Sequence, residues 1–149
     1  MSSAENAMRE IHLTIPIAPD MEIAATALVA ALGEWMDVGR DKIDEVKMAV
    51  VEACINAFEH SGTPDRKVEL AFRIGGSDLN GSRGAFLEVV VADSGRGFDP
   101  GHLPAPEIAA KLRSERKRGW GIKIIESLMD DVRIESNAHG TQIVMRKYR

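Results

Sequence analysis

Glu52, Asn56 and His60 recur at four-residue spacing inside a strongly helical stretch, so a carboxylate, an amide and an imidazole stack along one helix face. An amide oxygen can ligate Mg²⁺, a hard ion that prefers oxygen. A carboxylate one turn away can take the proton of an attacking hydroxyl or water. An isolated Glu-x-x-x-Asn is usually just a solvated helix face. Here Cys54, Ile55, Ala57 and Phe58 leave little room for a broad polar face, and a polar group buried without a partner is costly. His60 lies near the helix end, where a cation gains from the helix dipole, and it reads as structural.

Two further pieces complete a nucleotide pocket. Asp93 follows the apolar run Phe86-Leu-Glu-Val-Val-Val-Ala92, so its carboxylate emerges where a strand stops and can accept a hydrogen bond from an exocyclic amine, which favours adenine over guanine. Gly95 and Gly97 remove side chains where backbone must approach a ligand closely. Downstream, Gly119 and Gly121 flank Trp120 at the start of a helix, where free N–H groups and the positive helix end make a phosphate cradle. The preceding Lys111, Arg113, Arg116, Lys117 and Arg118 read as a lid whose cations meet a polyphosphate. Gly76-x-x-x-x-Gly81-Ser82-Arg83 lacks the lysine of a P-loop and is set aside. Cys54 reads as a small core residue, and His12, His102 and His139 have no ligand spacing with it.

The elements that must hold these groups follow from periodicity. Ile11, Leu13, Ile15 and Ile17 alternate with polar residues or Pro16 as one strand, with Pro16 suited to a sheet edge. Met21 to Met36 reads as a helix capped by Asp20. A second helix, capped by Asp41, runs to about Gly62 with Ile43, Val46, Val50, Ala53 and Ala57 on its apolar face. Lys67 to Ile74 and Ala85 to Ala92 are strands joined by a turn-rich Gly75–Gly84 loop. A short helix is expected at Glu107 to Arg113 and a longer one at Trp120 to Met129, followed by strands at Val132 to Ser136 and Gln142 to Arg146. The order β-α-α-β-β-lid-α-β-β predicts an α/β (α+β) two-layer sandwich, a mostly antiparallel sheet with helices on one face.

At 149 residues, with 44% hydrophobic and 28% charged residues, the chain reads as a single domain, 1–149, with 1–8 a flexible N-terminus. A net charge of -4 argues against direct nucleic-acid binding. No apolar run approaches a membrane helix and no secretion signal stands at the start, so a cytoplasmic protein is expected, as the single cysteine also suits.

In residues and order, these motifs resemble the GHKL, or Bergerat-fold, ATPase superfamily, and within it the anti-sigma-factor serine/threonine kinases. Glu52-x-x-x-Asn56-Ala-x-x-His60 is similar to that family's N box, Asp93-x-Gly95-x-Gly97-Phe98 to its G1 box, and Arg118-Gly119-x-Gly121-Ile122 to the start of its G2 box, with Gly140-Thr141 as the terminal threonine motif. Trp120 between the G2 glycines and the elaborate Gly75–Gly84 loop depart from the pattern. The resemblance implies ATP and Mg²⁺ as cofactors, Glu52 as general base, Asn56 as Mg²⁺ ligand and Asp93 as adenine reader supported by Thr141. It further implies phosphate binding by the G2 residues Arg118, Gly119, Gly121 and Ile122. It also implies partners: a sigma factor that is sequestered and a STAS-type antagonist that is phosphorylated, with a homodimer as an allowed assembly. The competing expectations are a nucleotide-gated binding module of the same fold with little or no kinase activity, and a simple ATP hydrolase.

Overall fold

Period-two alternation gives most of the strands two unlike faces, and antiparallel pairing brings the like faces into register. The computed structural model describes residues 9–60, 67–76, 84–93, 120–137 and 140–149. In chain order these form β1 (Arg9–Pro16), α1 (Glu22–Trp35), α2 (Arg40–His60), β2 (Lys67–Gly75), β3 (Phe86–Asp93), α3 (helical over residues 120–128), β4 (Asp131–Asn137) and β5 (Gly140–Tyr148). The strands make one sheet in the order β1-β2-β3-β5-β4, every neighbouring pair antiparallel. Pro16 ends the edge strand β1, where a missing ladder donor is harmless.

One sheet face carries the core. Phe72, Val89, Met145 and Val132 lie opposite one another across four strands, as do Leu70, Val91, Ile143 and Ile134. Against most of these pack Ala25, Val29 and Leu32 of α1, Val46, Val50, Ala53 and Cys54 of α2, and Ile125 of α3. All three helices among the described residues therefore cover the same face, giving the two-layer α+β sandwich that the element order predicts. Burial of the side chains between the layers is the dominant stabilising term. Gly33 sets the spacing of α1 and α2, since a Cβ there would stand 2.6 Å from Cγ1 of Ile43.

The opposite sheet face is organised by charge. Glu10, Arg73, Glu88 and Arg146 stand in one row across β1, β2, β3 and β5. The Glu88 carboxylate, only 3% exposed, accepts hydrogen bonds from Arg73 at 3.3 Å and from Arg146 at 2.9 Å. Arg146 also lies over the Phe86 ring, 3.9 Å from its centroid.

Two helix starts differ from the sequence expectation. Asp20 is not the N-cap of α1: its backbone is left-handed (φ 69°), Met21 takes the cap position, and no side chain caps the helix. Asp41 lies inside the first turn of α2, and the carbonyl of Gly39 accepts the Ile43 N–H, so Gly39 stands where Asp41 was expected. An acid in a first turn still gains from the helix dipole there.

Lys147 of β5 ties the far end of α3 to the rest. Its buried ammonium donates to the Leu128 carbonyl at 2.6 Å and to Glu45 of α2 at 2.5 Å. A cation on the last carbonyls of a helix satisfies acceptors that the helix itself leaves open. This contact anchors the far end of α3 to β5 and α2.

Candidate functional site

The site forms where the second half of α2 faces the end of β3, the start of β5 and the beginning of α3. Helical spacing carries Glu52, Asn56 and Glu59 along one line of α2, at i, i+4 and i+7. Asp93 is the last residue of β3, directly opposite Thr141 of β5, on the helix-covered face of the sheet. Thr141 in turn shares a hydrogen bond of 3.0 Å with Ser136 of β4.

Two cavities meet at Asn56. The inner one is a narrow notch lined by Ala53, Asn56, Ala57, Val91, Asp93 and Thr141. The outer one is an open cleft of ≈ 290 Å³ lined by Glu52, Ile55, Asn56, Glu59, Trp120 and Gly121. Asn56 is the one side chain common to both linings. It is 8% exposed, and its Oδ1 is buried with no hydrogen-bond partner among the described residues. A buried amide oxygen without a donor costs about 1–3 kcal/mol unless something fills it. A hard cation arriving with a ligand is one such filler.

Gly121 marks how close α3 comes to α2. A Cβ at this position would stand 3.4 Å from Oε2 of Glu52. That is an ordinary contact distance, and it places the start of α3 beside the Glu52 carboxylate. The site is acidic: Glu52 and Glu59 line the cleft, Asp93, 6% exposed, lines the notch, and no cation is among the described lining residues. No group of three or more His, Cys, Asp or Glu among the described residues is arranged to hold a metal ion. Mg²⁺ fits this poverty of ligands, because it binds through one or two protein oxygens and takes the rest from phosphates and water. Asn56 Oδ1 is the donor suited to it.

Of the sequence-derived site residues, the fold brings together Glu52, Asn56, Asp93, Gly121 and Thr141 at the two cavities; Ile122, half-buried at the start of α3, is next in sequence to Gly121. Gly95, Gly97, Arg118 and Gly119 lie outside the described residues, as do the basic cluster from Lys111 to Arg118 and the short helix expected at Glu107 to Arg113. The His60 side chain is likewise outside them. Sequence reasoning missed Glu59, Ile55 and Ile124 as cleft residues. Glu59 carried a signal, its seven-residue spacing from Glu52. Ser136 carried none, because its contact with Thr141 depends on the β4–β5 register.

Comparison with known proteins gives a consistent set. The histidine kinase-like ATPase domain family matches residues 15–147. The serine-protein kinase RsbW of Bacillus velezensis is 31% identical over 144 residues, covering 93% of this chain and 84% of that protein. RsbW of Bacillus subtilis is 30% identical over 144 residues with the same shares covered. In three dimensions the chain is similar to the crystal structure of the RsbU and RsbW domains of Rv1364c from Mycobacterium tuberculosis, with a TM-score of 0.66 at 18% identity. That likeness covers 95% of this chain and 33% of the other, and it bears on the fold.

Proposed function

This chain belongs to the histidine kinase-like ATPase family, in the anti-sigma-factor kinase branch of the GHKL superfamily, and from that premise we propose that it is an ATP-dependent serine/threonine protein kinase and anti-sigma factor. It sequesters a sigma factor and phosphorylates a STAS-type antagonist, whose added phosphate, roughly -2 in charge, weakens the antagonist's own interface. The observation that supports this reading most is the division of labour on α2. Glu52 faces an open cleft that an acceptor protein can enter, while Asn56, one turn on, reaches both that cleft and the notch holding Asp93.

The chemistry follows from those positions. Asp93 accepts a hydrogen bond from the exocyclic amine of adenine, and Thr141 supports that contact. Asn56 Oδ1 holds Mg²⁺, which when bound spreads the charge of the phosphates. Gly121 and Ile122 at the start of α3 receive the phosphates together with Arg118 and Gly119, which precede them in the sequence motif. In the transfer step the acceptor hydroxyl oxygen forms a bond to the γ-phosphorus as the bond to the ADP oxygen breaks. The hydroxyl proton passes to Glu52.

The test couples partner capture to one substitution. Tagged protein is incubated with source-cell lysate in Mg-ATP or Mg-ADP, and the bound proteins and their phosphosites are identified by mass spectrometry. A sigma factor together with a STAS-type protein phosphorylated on Ser or Thr is the expected result. Partners that stay unmodified in Mg-ATP would instead identify a nucleotide-gated binding module. Glu52→Gln should keep Mg-nucleotide affinity while phosphotransfer drops by about 10²-fold or more. Undiminished transfer would remove Glu52 from the role of base.

A further inference from the structure

The outward face of α2 carries exposed apolar side chains between its charged residues Asp44 and Glu59. Met48 is 56% exposed and Ile55 37% exposed, seven residues apart on one face, with half-buried Val51 and Glu52 between them. Across the cleft Trp120 of α3 is 70% exposed, and Ile124 lines the same wall. Contiguous exposed apolar side chains on a soluble domain mark an interaction surface more often than isolated ones do. This one runs up to Glu52, the group that takes the acceptor proton in the reaction proposed above.

Glu59 closes the rim of the same cleft. A carboxylate there repels a polyphosphate, so the phosphates themselves give no reason for it. A cation brought in with the acceptor does. We infer that Met48, Ile55 and Trp120, with Glu59 at the rim, form the docking surface for the phosphoacceptor protein. That protein presents its Ser or Thr at Glu52, with a large apolar side chain beside it seated against Ile55 and Trp120 and, one turn further along α2, a Lys or Arg facing Glu59. The inference rests on the kinase reading and narrows its substrate to a hydroxyl followed, in one direction, by an apolar and then a basic neighbour.

Docking and nucleotide binding are read separately in the test. Wild type, Ile55→Ser, Met48→Ser and Glu59→Gln are compared with Ile23→Ser, which removes from α1 an apolar residue about as exposed as Met48 and serves as control. Each is assayed for Mg-ADP affinity and for phosphate transfer to the STAS-type protein recovered from the capture experiment. The expected result is a rise in KM for the protein of about 10-fold for Ile55→Ser, with Mg-ADP affinity held within about twofold. Glu59→Gln should raise KM about threefold and flatten its dependence on salt. Retained Mg-ADP affinity also shows that the variants are folded. Protein KM unchanged in Ile55→Ser and Met48→Ser would overturn the surface. A Glu59→Gln effect confined to Mg-ADP affinity would mean that the cation belongs to this chain, and would overturn its part in docking. If wild type transfers no phosphate, the kinase reading fails by itself and docking is read from binding of the STAS-type protein in Mg-ADP. Weaker binding by Ile55→Ser would then sustain the surface, and equal binding would overturn it.

Discussion

Cys54 sits on α2 between Glu52 and Asn56 but is wholly buried in the core rather than in either cavity. Burial, with a smaller contribution from the nearby Glu22 charge, pushes its thiol up from 9.0 to about 12. Above pH 9 the unfolded chain gives up this proton and the folded chain keeps it, so stability falls as pH rises, by up to about 1.4 kcal/mol per pH unit. Urea unfolding at pH 8 and about pH 10.5 should show wild type losing about 1–2 kcal/mol more than Cys54→Ala over that interval. Equal losses in the two proteins would mean that the folded thiol titrates normally. The sequence reading of Cys54 as an inert core residue thus agrees with its surroundings. Glu52, Asn56 and Asp93 were legible for a similar reason: each is a polar group at a place where the pattern calls for an apolar one or for a strand to end. Glu59 was passed over despite its spacing from Glu52, because a glutamate on a helix looks solvated until the opposite wall, α3, is known.

Helix boundaries turn on backbone geometry that side-chain chemistry alone does not reveal. At the end of α1 the Val38 N–H reaches the Gly33 carbonyl and the Asp37 N–H reaches the Glu34 carbonyl, at 2.9 and 3.1 Å. This is the Schellman arrangement, and it requires a left-handed residue, here Asp37 at φ 58°. Glycine adopts that conformation without steric cost. The Arg149 contact that Asp37 would give up is a long 3.4 Å pair with the aspartate almost fully exposed, so it offsets little. Asp37→Gly is therefore expected to raise stability by about 0.5–1 kcal/mol, seen as a higher denaturant midpoint at unchanged slope. An unchanged or lower midpoint would show that the exposed pair outweighs the backbone term. The same logic explains Asp20 and Asp41. Aspartate is a good cap by composition, but the left-handed turn at Asp20 and the carbonyl of Gly39 set where α1 and α2 start.

At the scale of the whole molecule, the layer arrangement was legible because apolar positions recur at period two in β2 and at helical spacing in α2. The strand order was only partly so. Antiparallel neighbours along the chain follow from the hairpins, but the insertion of β5 between β3 and β4 depends on a long connection whose return path no local pattern specifies. Nor did any local signal single out Glu88, one acid inside an apolar run, as the centre of a charged row. Its two arginines keep about a third of their side chains in water, so removing the acid strands them less than full burial would. Glu88→Gln should lower stability by about 1–3 kcal/mol while leaving Mg-nucleotide affinity unchanged, because the row lies on the sheet face away from the site. A loss of nucleotide affinity equal to the loss of stability would contradict that separation. The row also bears on how the sheet is assembled. If β3 slipped by two residues against β5, Glu88 would face Val144 or Tyr148; against β2 it would face Ala71 or Gly75. Either error costs the buried carboxylate one of its two cations, and both together leave it with none. A nascent sheet built mainly from interchangeable valines and isoleucines would tolerate such slips, whereas this one proofreads its own pairing.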